Sequence, residues 1–219
     1  MPVGSQEFGT HPYALRYNGK RWRRTPLPAY PRGNVTALSA DDIWLAGSAN
    51  NPPVPRPVIW VAMHWNGKTW RTLRLPTKVR APHGGNAIPS TRILGLGPSS
   101  LLALAGFPAP CCGGELGKPG ITVVRWNGRS WRVLAEDTGD RSNGPVVSDG
   151  HGGMWISATV GTTGPANIVH YSAGKISGQV LKVGGASVQI YAMSHVPGTT
   201  SVWAVASTSK ASLIIRYVV

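Results

Sequence analysis

The side chains able to do acid–base chemistry are few, because the chain of 219 residues contains only eight Asp and Glu residues. Glu115, Asp137 and Asp140 lie in segments whose composition predicts loops. Two carboxyl groups that converge on a glycosidic bond can act as general acid and base, with a histidine as a further proton carrier. For an enzyme of this sequence we therefore expect Glu115, Asp137 and His83 to be the catalytic groups.

Metal chemistry has little support in the sequence. The segment Glu136-Asp137-Thr138-Gly139-Asp140 collects the hard oxygens that Ca²⁺ prefers, but it lacks the ligand spacing of an EF-hand loop. The two cysteines, Cys111 and Cys112, are adjacent and have no other soft ligand near them in sequence. We predict no cofactor and no metal site, with Ca²⁺ at residues 136–140 as the alternative to a solvated acidic turn.

The charge balance points to polyanions as partners. Lys and Arg number 22 against eight Asp and Glu, which gives a formal net charge of +14. Such a surface attracts anionic polysaccharides, other anionic polymers and nucleic acid without choosing among them. No run of about 18 apolar residues is present, so no transmembrane helix is predicted.

Two short motifs alternate along the chain. The first is Trp65-Asn66-Gly67-Lys68-Thr69-Trp70, which recurs at residues 17–22 and 126–131 and, in degraded form, at 171–176. The second is Asp42-Ile43-Trp44-Leu45-Ala46-Gly47, with counterparts at residues 100–106, 153–157 and 201–206. Their interval of roughly 45 to 60 residues is typical of propeller blades and similar repeat units.

Each repeat resolves into four short strands, A to D. Asn-Gly between apolar runs predicts a two-residue hairpin loop between C and D, which would place Trp65 opposite Lys68 and Met63 opposite Trp70. The fold predicted is all-β, a β-propeller of four to five four-stranded antiparallel blades. The predicted blade segments are 13–27 (partial), 35–75, 91–135, 143–183 and 190–219 (partial).

The two ends of the repeat array do not make a regular ring. The first partial blade supplies C and D, whereas the last supplies A, B and C. One interpretation is a small propeller with an irregular seam; the other is a piece of a larger propeller closed by further sequence or by a second chain. Residues 1–10 read as a vector-derived or disordered linker, which leaves one domain over 11–219.

The motif pair Asp-Asp-Ile-Trp-Leu-Ala-Gly and His-Trp-Asn-Gly-Lys-Thr-Trp resembles the repeats of secreted β-propeller proteins of actinobacteria. In that family a strand reading D-x-W-x-x-G is followed by H-W-N-G-x-x-W. The resemblance covers residues 13–219 and is closest at 35–75. It implies a propeller fold and an extracellular location, and it implies no particular reaction.

Strand order predicts which loops lie at the same end of the blades. The A–B and C–D turns are tight, whereas most B–C and D–A connections are long and would meet at the opposite end. Insertions confined to one face are typical of a binding face, although neutral variation in loop length also explains them. The ligand-binding residues predicted on this long-loop face are Arg56, Arg80, His83, Asn86, Asp140 and Arg141.

Aromatic and basic residues recur in phase with the repeat. We interpret the recurring tryptophans as packing between blades, with sugar stacking as the alternative. These tryptophans are Trp22, Trp44, Trp65, Trp70, Trp126, Trp131, Trp155 and Trp203. The residue before the aromatic of strand C is always basic, and we expect it to hydrogen-bond a neighbouring backbone group or hydroxyl, with a ring of functional cations as the alternative. These basic residues are Arg16, His64, Arg125, His170 and Arg216.

Many of the remaining Lys and Arg residues fall on or beside the outer D strands. Cations on edge strands oppose aggregation, and they point outward all round instead of lining one groove. Specific nucleic-acid binding is therefore not expected. The function predicted is a non-catalytic extracellular binding or scaffold module for a glycan or other surface polymer. The alternatives are a polysaccharide-acting hydrolase or lyase on the same face and a protein-interaction scaffold.

Overall fold

The computed structural model describes residues 12–49, 59–76, 90–97, 100–106, 121–137, 141–160 and 166–218. Within these ranges the chain is all-β and contains no helix, which confirms the predicted fold class at that level. The sequence explains this, because frequent Gly and Pro disfavour helices and the apolar alternation suits half-buried strands. No helix in the described part of the chain could span a membrane.

The strands form an N-terminal hairpin followed by four repeated antiparallel units. The hairpin comprises β1 (Tyr13–Tyr17) and β2 (Trp22–Pro26). Unit 1 comprises β3 (Tyr30–Ser39), β4 (Asp42–Ser48), β5 (Trp60–Trp65) and β6 (Trp70–Arg74). Unit 2 comprises β7 (Ser90–Gly97), β8 (Ser100–Gly106), β9 (Ile121–Trp126) and β10 (Trp131–Asp137).

Units 3 and 4 continue the pattern. Unit 3 comprises β11 (Arg141–Ser148), β12 (Met154–Val160), β13 (Ala166–Ser172) and β14 (Lys175–Val180). A two-stranded ribbon, β15 (Lys182–Val183) with β16 (Ala186–Ser187), leads into unit 4. Unit 4 has three strands, namely β17 (Gln189–His195), β18 (Ser201–Ser207) and β19 (Ser212–Val218).

The first strands of successive units lie side by side. β3 runs parallel to β7 and pairs with it at Gly33 and Thr91, which joins units 1 and 2 into one eight-stranded sheet. A Cβ on Gly33 would lie 2.7 Å from the Cβ of Ala46 and would also collide with the Thr91 carbonyl, so this approach requires glycine. Asn34 reinforces the junction by hydrogen-bonding both the carbonyl and the N–H of Ile93, each at 2.7 Å.

The two-residue hairpin loop predicted at Asn66-Gly67 is wrong. Trp65 pairs directly with Trp70 and His64 with Arg71, so the loop has four residues, Asn66 to Thr69. Oδ1 of Asn66 accepts hydrogen bonds from the N–H groups of Lys68 and Thr69 at 3.1 and 2.9 Å, and only Gly67 adopts a positive φ. A two-residue type I′ loop needs positive φ at both positions, whereas this side-chain-capped turn needs it only at glycine.

Each central strand buries residues on both of its sides, because alternate side chains face alternate neighbours. In unit 2, Leu102 and Leu104 pack against unit 3, whereas Leu101 and Ala103 pack against unit 1. We call the side that packs on the next unit the forward face and the opposite side the backward face. Separate cores of this kind join the hairpin to unit 1 and each unit to its successor.

The last strands of units 1 to 3 are sheet edges. β6 and β10 flank the eight-stranded sheet, and β14 flanks unit 3. Basic residues follow these edges and the turns leading to them, and all of them are exposed; they are Lys68, Arg71, Arg74, Arg129, Arg132 and Lys175. This placement is the one expected of cations that protect strand edges from further pairing.

The recurring tryptophans fall into two groups. Trp44, Trp126, Trp131 and Trp155 belong to or pack against the cores between units, and Trp65 and Trp70 lie buried or half-buried where unit 1 meets the N-terminal hairpin. Trp22 and Trp203 are exposed instead, because they lie on the two outermost faces of the stacked units.

Candidate functional site

An Asp–His–Trp cluster in unit 1 brings together polar side chains from two neighbouring strands. Oδ1 of Asp42, at the start of β4, accepts a hydrogen bond from the indole N–H of Trp44 at 2.6 Å and lies 2.9 Å from Nε2 of His64. The imidazole of His64 stacks on the indole of Trp44 with ring centroids 4.1 Å apart and planes 15° apart. Strand pairing positions the cluster, because Trp44 and His64 are direct partners across β4 and β5.

A second cluster in unit 3 repeats the Asp–His contact and the His–Trp stacking, with a more deeply buried carboxylate. His170 pairs with Trp155 across β12 and β13 and stacks on it, with centroids 4.0 Å and planes 7° apart. Nε2 of His170 lies 2.9 Å from Oδ2 of Asp149, a residue that is only 2% exposed. Oδ1 of Asp149 accepts hydrogen bonds from the N–H groups of His151 and Gly153, both at 2.8 Å.

The carboxylates of the two clusters reach their histidines from different sequence positions. Asp42 stands two residues before Trp44, whereas Asp149 stands six residues before Trp155. The position two before Trp155 is Gly153, and a Cβ there would collide with Oδ2 of Asp149 and with the carbonyl of Tyr171. The turn from 149 to 153 thus folds back and fills, with the Asp149 carboxylate, the space that a side chain at 153 would occupy.

The environment of Asp149 favours its charged form. Burial alone would raise the pKa of this carboxyl group, but the hydrogen bond from His170 and those from the backbone N–H groups of His151 and Gly153 outweigh it. The charge of His170 acts in the same direction. The net result is a pKa of Asp149 below its ordinary value, so the group is a carboxylate at neutral pH.

Units 2 and 4 carry a different pair at the same positions. Nη2 of Arg125 donates to Oγ of Ser100 at 3.3 Å, and Nη2 of Arg216 donates to Oγ of Ser201 at 3.2 Å. Thus the basic residues of strand C bond hydroxyls in units 2 and 4, as expected, but carboxylates in units 1 and 3. The partner of the basic residue in strand C is therefore an Asp where that residue is His and a Ser where it is Arg.

Within the described residues, no nucleophilic side chain accompanies the histidines of these clusters. An Asp–His pair serves a nucleophile only when the second imidazole nitrogen faces a hydroxyl or thiol. Among the described residues no hydroxyl or thiol hydrogen-bonds the imidazole of His64 or His170, and each ring lies against a tryptophan; Oγ of Ser177 donates to the backbone carbonyl of His170 instead. Nor do the described segments contain a group of three or more His, Cys, Asp or Glu side chains suited to a metal ion.

Most of the site residues predicted from the sequence lie outside the described residues. They are Arg56, Arg80, His83, Asn86, Glu115 and Asp140. Asp137 ends β10, where it pairs with Ile121, and Arg141 begins β11, where it pairs with Val160. Both therefore flank the connection 138–140. The segment 136–140 considered for Ca²⁺ is described only at its first two residues.

Sequence reasoning missed the Asp–His partnership, although a signal for it was present. Asp42 with His64 and Ser100 with Arg125 vary together, and Ser201 with Arg216 repeats the second combination. Aligning the repeats on the strand-B position of Trp44 exposes this pattern. No model of a known protein family matches the chain, and no curated protein matches it.

Proposed function

We propose that the protein is a β-propeller-type binding or scaffold module of the extracellular space, without catalytic activity. Its ligand is a glycan or another surface polymer, bound at the end of the units that carries the long connections. Units 1 to 4 are the blades of this architecture, and stacking of their sheets through paired faces supports it.

The observation that carries the proposal is the one-sided distribution of connecting residues between the strands of units 1 and 2. In unit 1 the chain leaves β4 at Ser48 and enters β5 at Trp60, then leaves β6 at Arg74 and enters β7 at Ser90. Antiparallel pairing puts both connections at the same end, and the connection between β8 and β9 in unit 2, residues 107–120, is of similar length. The opposite end of units 1 and 2 carries tight turns, so most of the residues that connect the strands of these units belong to the long-loop end, where binding residues are commonly placed.

The described carboxylates of the Asp–His clusters are engaged in contacts within their own units. Asp149 is almost fully buried and its carboxylate takes part in three hydrogen bonds, and Asp42 bonds both an indole and an imidazole. Replacement of the Asp–His pair by Ser and Arg in alternate units is easily explained for a structural contact. A reaction would require one particular set of proton carriers in one place.

The test is binding to immobilised neutral and anionic polysaccharides and to DNA at about 50 mM and 500 mM salt. A glycan site predicts binding to one polysaccharide that survives the higher salt concentration. The double variant Arg80→Ala/Arg141→Ala should then lose at least tenfold in affinity. The matched control Arg71→Ala/Arg132→Ala removes the same charge from the outer edges and should leave the affinity within about twofold.

Two outcomes would contradict the proposal. The first is an equal loss of affinity in both double variants, together with binding that disappears at the higher salt concentration. That result would show non-specific electrostatic attraction that depends only on net charge. The second is cleavage of the bound polysaccharide by the wild type, with loss of this cleavage in Glu115→Gln or Asp137→Asn. That result would show that the protein is a polysaccharide-acting enzyme.

A further inference from the structure

The forward face of unit 4 is exposed, although the corresponding residues of units 1 to 3 are buried. Trp203 corresponds to Trp44 and Trp155, since each pairs with the basic residue of the following strand. Trp44 and Trp155 are buried against the next unit, whereas Trp203 is 42% exposed. Ile214 likewise corresponds to Ala62, Val123 and Ile168, which are all buried, yet it is 75% exposed.

The N-terminal hairpin exposes its backward face. Tyr17 pairs with Trp22, and the rings contact each other with centroids 5.3 Å apart. Equivalent pairs on the backward faces of units 1 and 2 are Trp65 with Trp70 at 5.7 Å and Trp126 with Trp131 at 5.4 Å. Those pairs are buried or half-buried, whereas Trp22 is 66% exposed, with Leu15 and Tyr17 beside it.

Inside the chain these two kinds of face fit each other. Trp44 on the forward face of unit 1 contacts Trp126 and Trp131 on the backward face of unit 2, with centroids 5.5 and 5.9 Å apart. Trp155 of unit 3 makes an edge-on contact with Tyr217 of unit 4 at 4.8 Å. The chain therefore presents one unused half of this contact at each end, and both halves are exposed at the same time, so neither covers the other.

We propose that two copies of this chain associate head to tail. The forward face of unit 4 in one copy (Trp203, Val205 and Ile214) docks on the backward face of the N-terminal hairpin in the other (Leu15, Tyr17 and Trp22). Trp203 would take the place against Tyr17 and Trp22 that Trp44 takes against Trp126 and Trp131. The contact is heterologous, so it closes into a ring or extends by further copies.

The dependence on salt concentration distinguishes this association from binding to polyanions, which weakens as salt is added. Each copy carries a formal net charge of +14, so two copies repel one another at a distance. The docking faces are mainly apolar and aromatic, and each also carries an exposed arginine, Arg24 beside Leu15 on the hairpin and Arg216 beside Trp203 on unit 4. Added salt screens the repulsion and leaves the apolar contact in place, so association should strengthen with ionic strength.

The experiment is sedimentation velocity of the full chain over a range of concentrations. The wild type should form dimers or larger species as concentration rises, and Ile214→Asp and Trp22→Asp should each be monomeric throughout. Val183→Asp is the matched control, because Val183 is exposed but lies on neither face. It should associate like the wild type. Circular dichroism verifies folding, and Ile214→Lys provides a second test of the forward face.

Mixing the two monomeric variants gives the sharper result. Ile214→Asp keeps an intact hairpin face and Trp22→Asp keeps an intact unit 4 face, so an equimolar mixture should form a dimer and nothing larger. A wild type that stays monomeric at every concentration would overturn the proposal. Association that is lost in Ile214→Asp and retained in Trp22→Asp would also overturn it, because that pattern describes two unit 4 faces packed on each other.

Discussion

Oδ2 of Asp149 and Nε2 of His170 lie 2.9 Å apart across the junction of a turn and a strand. The carboxylate belongs to the turn before β12, and the imidazole belongs to β13, so their contact ties the turn to the centre of unit 3. Asp42 and His64 make the same contact in unit 1 at 2.9 Å.

Removal of the buried carboxylate should destabilise the protein strongly. Asp149→Ala leaves the N–H groups of His151 and Gly153 and one nitrogen of His170 without their acceptor. We expect the free energy of unfolding to fall by about 3 kcal/mol. Asp41→Ala, at an exposed position, is the control and should change it by less than about 0.5 kcal/mol. Urea unfolding measures both, and equal effects would show that the turn does not depend on Asp149.

The pH dependence of stability should contain a contribution from the same residue. The pKa of Asp149 is lower in the folded protein than its ordinary value, so the unfolded chain binds a proton more readily. Its contribution is therefore complete above the ordinary range of a carboxyl group and is lost as the pH falls from about 4 downward. Asp149→Asn should flatten that part of the curve in urea unfolding at a series of pH values. An unchanged slope would contradict the lowered pKa.

The two tryptophans that stack on histidines should respond differently to loss of the indole N–H. That of Trp44 donates to Asp42 at 2.6 Å, whereas that of Trp155 has no hydrogen-bond partner within the described structure. Trp44→Phe should therefore cost about 1 kcal/mol more than Trp155→Phe, since both remove a similar volume from buried positions. Thermal unfolding of the two variants is the measurement. A larger loss in Trp155→Phe would mean that packing dominates.

Gly153 should be intolerant of even the smallest side chain. A Cβ at this position would collide with both the Asp149 carboxylate and the backbone carbonyl of Tyr171. We expect Gly153→Ala to lower the free energy of unfolding by about 2 kcal/mol or more. At Gly174 a Cβ meets nothing within 4 Å, so Gly174→Ala carries only the cost of its positive φ, about 1 kcal/mol. Similar losses in the two variants would argue against crowding at 153.

Local patterns made the strand units predictable. Apolar alternation around Asn-Gly and around Asp-x-Trp marks the strands, because side chains on a strand face opposite sides in turn. The exact pairing was not predictable. Whether Asn66 enters a two-residue loop or caps a four-residue loop depends on which turn the paired strands accommodate, and the observed register moves Trp70 opposite Trp65.

The Asp–His clusters were likewise predictable from the sequence only in part. Asp42 and Trp44 could be grouped by their spacing in sequence. Asp149 could not, because it reaches His170 only when a turn folds over Gly153 and brings a carboxylate from six residues before Trp155 into the same space. That contact depends on the path of the backbone in three dimensions and leaves only an indirect trace in the sequence.

By itself the sequence determined the all-β class, the repeat and the positions of most strands, since each rests on interactions between residues close together in the chain. The tertiary structure decided which repeated residues are buried. Trp44 and Trp203 occupy the same position in their repeats, yet one lies in a core and the other is exposed. The physical reason is that burial depends on whether another sheet covers the face, and only the arrangement of whole units settles that.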